Sequence, residues 1–186
     1  MKQPALFLFC IISVFLSCLA GPVEAGHVDN RATDLISGFH VISGKEYKWS
    51  LLEPGSRMYI DRRQHTYTTV PPQLTGQLVL RTVNKDKYYE AADSPFISFK
   101  AQKKITVYVL YSDFYTQLEE VWLNERQGWH KEDFVVGTSL SKNKAARRVY
   151  SKTFAAGSKV VLDGNGCVIK NCSMYTVVIV PAPKSD

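Results

Sequence analysis

Short stretches of alternating apolar and polar residues recur along the chain, and turn-forming residues separate them. This two-residue period is that of half-buried β-strands, in which successive side chains point to opposite faces of a sheet. β-Branched and aromatic side chains, which fit a pleated surface, fill these stretches. The strands predicted in this way cover residues 78–83, 96–100, 105–111, 149–154, 160–162 and 175–180.

Glycine and proline mark the breaks in this pattern, because they supply the positive or fixed φ angles that turns require. Helical spacing of apolar residues is confined to two places, a single turn around Asp34 and a short helix within residues 114–123. Many short strands with so little helix predict an all-β fold. We expect an antiparallel β-sandwich or jelly roll with at most one or two short helices.

The N-terminal segment has a different pattern from the rest of the chain. Lys2 precedes a nearly unbroken apolar run over residues 5–20, and small residues follow at Val23 and Ala25. The run is shorter than the roughly 20 residues needed to span a bilayer, so it predicts a signal peptide over residues 1–25. We therefore expect a secreted, extracellular, monomeric protein without a membrane span. Its single domain has an N-terminal strand and loop region at 26–54, a sandwich core at 55–182 and a tail at 183–186.

The signal prediction also decides how the cysteines are interpreted. Cys10 and Cys18 would leave with the signal peptide, so that Cys167 and Cys172 remain. A single pair in an oxidising compartment predicts one disulfide, and two cysteines are too few for a closed zinc site. The Asn-Cys-Ser sequence at Asn171 is also an acceptor for N-glycosylation.

The chain is basic, with 23 Lys and Arg against 17 Asp and Glu and a formal net charge of +6. Removal of the signal segment takes one charge of each sign and leaves this value unchanged. A basic secreted protein attracts acidic polysaccharides, anionic surfaces or nucleic acid through the same non-specific attraction. Most of the basic clusters fit solvated turns and strand edges. The cluster at 142–148 alone is dense enough to predict a basic patch.

Several short motifs occur in one order along residues 55–182, and together they resemble a known class of domain. The motifs lie at 58–62, 67–71, 74–76, 81–87, 107–109, 122–123, 149–152, 156–157 and 173–178. This order resembles the galactose-binding-like β-sandwich modules that are appended to secreted polysaccharide-active enzymes. The resemblance implies a jelly-roll domain that binds glycan and carries out no chemistry of its own.

Sugar recognition depends on aromatic rings that stack on pyranose faces and on polar groups that bind hydroxyls. Trp49, Trp122 and Trp129 are the candidates for stacking. Buried tryptophans are common in protein cores, and Trp122 lies in an apolar run that favours the core. Trp129 lies in the polar stretch 125–132, and we therefore expect it to be exposed and to bind ligand.

The pairs Asp61–Arg62 and Asp86–Lys87 are the polar candidates for the same ligand site. Each pair can bind hydroxyl groups, or it can pin the loop between two strands, because a carboxylate satisfies buried amides as readily as it binds ligand. The internal role is the more common one. Arg62 could in addition hold a uronate carboxylate with both arms of its guanidinium.

Neither a nucleophile motif nor a zinc-protease motif is present, and we expect no enzymatic activity. No cofactor is expected, although Asp163 and Asn165 lie in a turn that could supply oxygen ligands to a structural calcium ion. The sequence thus predicts a secreted, non-catalytic carbohydrate-binding protein, with an acidic glycan as ligand. The alternative is an extracellular protein–protein interaction or matrix component on the same scaffold, because sandwiches host many functions.

Overall fold

A computed structural model of the chain describes residues 25–89, 91–112, 117–140, 145–167 and 172–183. Ten strands account for most of the regular structure, and two helices, α1 (Ala25–Leu35) and α2 (Gln117–Val121), accompany them. Two 3-10 turns cover Asn84–Tyr88 and Glu125–Gln127. The strands are β1 (Ile36–Val41), β2 (Lys48–Leu51), β3 (Tyr67–Thr69), β4 (Leu78–Arg81), β5 (Pro95–Ala101), β6 (Ile105–Ser112), β7 (His130–Thr138), β8 (Ala146–Phe154), β9 (Lys159–Asp163) and β10 (Thr176–Pro181).

The strands form two antiparallel sheets of unequal width. A three-stranded sheet has the order β1-β5-β9, and a seven-stranded sheet has the order β2-β4-β10-β6-β8-β7-β3. Every pair of neighbouring strands is antiparallel. The predicted all-β antiparallel sandwich is therefore confirmed.

Connecting segments contribute to the hydrophobic core together with the two sheets. The wide sheet has four strands more than the narrow one. Met58, Leu74, Trp122 and Met174 lie outside the strands, yet they are buried in the same hydrophobic cluster as the strand residues. The loops of this protein are thus part of its core.

The six predicted strands are all present, at 78–81, 95–101, 105–112, 146–154, 159–163 and 176–181. The short helix expected within 114–123 corresponds to α2. The helix around Asp34 is longer than the predicted single turn, because α1 extends over eleven residues. It buries Ala32 and Leu35, and the Arg31 guanidinium donates a hydrogen bond to the carbonyl of Gly76 at 3.2 Å. These contacts hold a helix whose polar sequence gives little helical periodicity.

A polar group lies inside the sandwich. Arg147 is fully buried, and its Nη2 donates to the Tyr59 hydroxyl at 2.8 Å. That hydroxyl in turn donates to the Met174 carbonyl at 2.8 Å. Arg148, the next residue, pairs with Glu119 at 2.5 Å. The prediction of a basic patch at 142–148 is therefore wrong for Arg147, while Arg148 is half-buried in its ion pair and residues 142–144 lie outside the described part of the chain.

The disulfide prediction is confirmed, since Cys167 and Cys172 are bonded with their Cα atoms 6.2 Å apart. Asn171, the predicted glycosylation site, lies outside the described residues, as does the predicted signal peptide up to residue 24. Among the helices that are described, none has the length and apolar character needed to cross a membrane.

Candidate functional site

Residues 84–89 form a loop within the connection between β4 and β5. Asp61 fixes the beginning of this loop. The Asp61 carboxylate accepts hydrogen bonds from the backbone N–H groups of Asn84 at 2.7 Å and Lys85 at 3.2 Å. The side chain of Asn84 then accepts from the N–H of Met174 at 3.2 Å. The N–H groups of Asn84 and Lys85 stand at the start of a 3-10 turn, where backbone donors have no partner within the turn itself. Asp61 thus orders the loop.

Asp86 anchors the middle of this loop. It is 1% exposed, and it accepts hydrogen bonds from the Ser43 hydroxyl at 2.8 Å and the Tyr47 hydroxyl at 2.9 Å. The Lys45 ammonium completes the group as its ion-pair partner. Burial, followed by the negative charge of Asp86, raises the pKa of Tyr47 far above its ordinary value. These donors balance a carboxylate that would otherwise be costly to bury.

Lys87 anchors the end of the loop to the disulfide segment. Its ammonium donates to the carbonyl of Cys172 at 2.8 Å, and its own carbonyl accepts from the N–H of Cys167 at 3.0 Å. The same ammonium lies 4.8 Å from the centroid of the Tyr88 ring. This distance is that of a cation–π contact. Lys87 is therefore hydrogen-bonded to the backbone of both cysteines, and its ammonium also contacts the Tyr88 ring.

The predicted polar site residues therefore have internal roles. Asp86 and Lys87 are buried, and the Asp61 carboxylate is occupied by two backbone amides. Burial of Asp86 and Lys87 agrees with the internal role that was the more common alternative, whereas Asp61 is half-buried and its role as a ligand residue stays a prediction. Arg62 is half-buried in the turn after Asp61, where its carbonyl accepts from the N–H of His65. Its role as a ligand residue stays a prediction.

The same loop exposes Tyr88 and Tyr89, and Ile42, which follows β1, lies beside Tyr89; we call these three side chains the tyrosine shelf. The exposed fractions of Ile42, Tyr88 and Tyr89 are 44%, 55% and 47%. Tyr89 packs against Phe96 at a centroid distance of 5.8 Å, and its hydroxyl lies 3.5 Å from the carbonyl of Ile42. Exposed aromatic side chains grouped in this way are typical of binding surfaces.

Trp129 does not have the exposed position that was predicted for it. The side chain is 4% exposed and packs edge-on against Trp122 at 5.7 Å and against Phe154 at 6.4 Å. Trp122 in turn contacts Tyr175, as expected for a core residue. The polar residues around Trp129 belong to the 3-10 turn and to β7. Their polarity made Trp129 look exposed in the sequence, although its side chain is buried. Trp49, the third candidate, is half-buried against Phe39.

Trp129 nevertheless contributes to the wall of a cleft of about 310 Å³, which we call the tryptophan cleft. Its lining residues come from the loop before β5, from the α2 region and from β8 and β9. They are Asp93, Val121, Trp122, Gln127, Trp129, Lys152, Val161 and Asp163. The Lys152 ammonium donates to the Gln127 carbonyl at 2.6 Å across this cleft, so the cleft combines charged groups with tryptophan edges.

Asp163 has an altered acidity in this cleft. Burial, followed by the negative charge of Asp93, raises the pKa of the Asp163 carboxyl above its ordinary value. The neighbouring Asn165 is fully buried, and its side-chain oxygen accepts from the N–H of Tyr175 at 3.2 Å. Because calcium takes six to eight oxygen ligands, these two residues do not fit a calcium site by themselves. Within the described ranges, no group of three or more His, Cys, Asp or Glu could hold a metal.

The fold is shared with parts of two larger enzymes of known structure. A β-glucuronidase from glycoside hydrolase family 2 superimposes with a TM-score of 0.65 and 24% identity, over 80% of this chain and 15% of that enzyme. A glycoside hydrolase family 138 enzyme that targets pectin rhamnogalacturonan II superimposes with a TM-score of 0.53 and 14% identity, over 80% of this chain and 16% of the enzyme. No protein family and no curated protein matches the chain in sequence. These similarities establish the fold alone, and the chain spans about one sixth of either enzyme.

Proposed function

We propose that this chain is a secreted, non-catalytic protein that binds an acidic glycan, and that the tyrosine shelf is its binding surface. The observation that carries the proposal is the exposure of two adjacent tyrosines on a loop whose inner side is fixed. Tyrosine combines an apolar ring with a polar hydroxyl, and its two rotatable bonds keep the entropy lost on binding small.

The fixed loop makes the shelf a preorganised surface. Tyr88 is held by the Lys87 ammonium over its ring, and Tyr89 is held by Phe96. A ligand that binds these rings does not have to order them first, and such preorganisation increases affinity at a given contact area. The residues that the sequence singled out as ligand contacts, Asp86 and Lys87, would act here as supports.

Charge and fold similarity support a glycan as the ligand. The net charge of +6 favours an anionic partner. The two enzymes with a similar domain act, according to their names, on a glucuronide and on a pectin component. We propose no reaction for this chain, because its sequence contains no motif that would assign one.

A glycan array probed at low and at high salt tests this proposal. We expect acidic glycans to be retained by the wild-type protein, with retention reduced strongly in Tyr88→Ala and Tyr89→Ala. The matched control is Val135→Ala, which shortens an exposed apolar side chain on β7 of the seven-stranded sheet, outside the tyrosine shelf. Retention that persists at high salt indicates stacking, because salt screens exposed charges. Failure of the wild-type protein to retain any glycan at low salt would contradict the proposal.

The same shelf supports a second candidate function, binding of an extracellular protein. Tyrosine is enriched at protein interfaces, and exposed apolar groups of this kind mark them. A pull-down from extracellular material distinguishes the two functions. A partner protein whose capture is lost in Tyr88→Ala but is insensitive to glycosidase treatment would favour the protein-binding function.

A further inference from the structure

On the outer face of the three-stranded sheet, Lys100 and Lys159 form a pair of positive charges, and the carboxylate of Asp163 lies four positions further along β9 on the same face. From this pair we infer a second binding position for the acidic glycan: Lys100 and Lys159 hold carboxylates of a polyuronate chain whose neighbouring part lies on the tyrosine shelf. This inference rests on the function proposed above and adds the substrate class, a polymer of uronic acids.

The two lysines are direct partners on neighbouring strands. Lys100 on β5 lies opposite Lys159 on β9, and Ser37 on β1 lies opposite Lys100 on its other side. Cross-strand partners point to the same face of a sheet, so the three side chains form one row across all three strands. The row lines a depression of about 390 Å³, together with Gly38, Ser98, Phe99 and Gly157.

The charges in this depression have no internal counterion in the described part of the chain. Neither Lys100 nor Lys159 is in an ion pair there, and the lining residues include no carboxylate. Like charges placed directly opposite each other destabilise a sheet. A bound anion would remove this repulsion, and the hydroxyls of Ser37 and Ser98 can donate hydrogen bonds to its oxygens.

A polymer fits this arrangement better than a single anion does. Phe96, which contacts Tyr89 of the shelf, lies four positions before Lys100 on β5, or about 13 Å along the strand. A single sugar cannot occupy both positions. An oligosaccharide with carboxylates at regular intervals can, and each contact then raises the effective concentration of the other. The lining groups also leave the space above Gly38 and Gly157 open, since a β-carbon there would meet nothing within 4 Å.

Calorimetric titration with oligogalacturonate tests the inference, with the double variant Lys100→Gln/Lys159→Gln compared with Lys103→Gln/Lys104→Gln. The control double variant also removes two positive charges, but it removes them from the exposed turn that follows β5. We expect Kd to rise about tenfold or more in the first variant and clearly less in the control. The melting temperature of the first variant without ligand should stay the same or rise, because the repulsion between the two lysines is gone.

The outcomes separate the two proposals. Equal weakening in both double variants would overturn the inference in favour of general charge attraction, while glycan binding that depends on Tyr88 would leave the proposed function intact. Stronger wild-type binding to a sulfated polysaccharide or to phosphatidylserine vesicles than to oligogalacturonate would overturn the polyuronate assignment. Absence of any glycan binding by the wild-type protein would overturn both proposals.

Discussion

The ammonium of Lys87 lies 4.8 Å from the centroid of the Tyr88 ring and at the same time donates a hydrogen bond to the Cys172 carbonyl. An exposed aromatic residue is therefore coupled to the disulfide segment through a single buried cation. Tyr88, on the surface that we propose to bind glycan, and Lys87, which supports it from the core, are adjacent residues in the chain.

Replacement of Lys87 by methionine should destabilise the fold by about 1 to 3 kcal/mol, because a buried carbonyl loses its donor. The Tyr88 ring also loses its cation, so glycan binding should weaken. Urea denaturation gives the free energy of unfolding, and Lys85→Met, a change at an exposed neighbour, is the control. Equal stability of the two variants would show that the Lys87 contact is unimportant.

Replacement of Asp86 by alanine should cost about 3 kcal/mol, since it leaves the donors of Ser43 and Tyr47 without their acceptor. The loop under the shelf then loses its central anchor. We expect a lower denaturation midpoint together with weaker glycan retention. Glu46→Ala, which removes a carboxylate that is 78% exposed, should change neither.

The protein should lose stability in alkali. Burial raises the pKa of Tyr47, Tyr59, Tyr67 and Tyr175, so these side chains stay protonated in the folded protein while they ionise in the unfolded chain. The unfolded state then binds fewer protons, and the free energy of unfolding falls as the pH rises above the ordinary tyrosine value of 10.0. The loss is about 1.4 kcal/mol per pH unit for each tyrosine.

Urea denaturation below and above this pH measures the slope. Tyr47→Phe should reduce the slope, because one of the four groups is then absent. A free energy of unfolding that does not change across this range would contradict the burial of these hydroxyls.

Asp163 should have an effect of the same sign, but in the acidic range. Its pKa is raised by burial and by Asp93, so the folded protein holds the proton more tightly than the unfolded chain does. Stability from this group is present at low pH and is lost as the pH rises through the ordinary aspartate range and the raised pKa. Asp163→Asn should therefore be more stable than the wild type at neutral pH, and this gain should disappear in acid. Asp93→Asn should give a smaller gain of the same sign.

The sequence indicated the sheet strands best where they alternate without interruption. β6 and β8 pair over eight consecutive positions, and both were predicted. β7 was missed, because the charged residues at its start obscure the alternation and the pairing register shifts between Lys131 and Val135. β1 was missed for a similar reason, with a register shift between Ser37 and His40. β2 has four residues like β4, but it lacks the run of buried apolar residues that marks β4, and β3 has only three residues.

The candidate site was harder to predict than the fold, because residue type is a poor guide to exposure. Trp129 lies among polar neighbours and is buried, whereas Tyr88 and Tyr89 have the residue type of a core and are exposed. The sequence carried no clear signal for the tyrosines, because adjacent large side chains in another turn, Trp122 and Leu123, are both buried. The depression at Lys100 and Lys159 depends on strand register, which the sequence pattern does not reveal.

The unequal width of the two sheets has a consequence for how this protein can change. Its connecting segments fill the interior with one side and meet the solvent with the other, as the loop of Asp86 and Tyr89 illustrates. We therefore expect the proposed binding surface to tolerate replacement of outward side chains one at a time, whereas lengthening or exchanging a whole segment would open the interior to water.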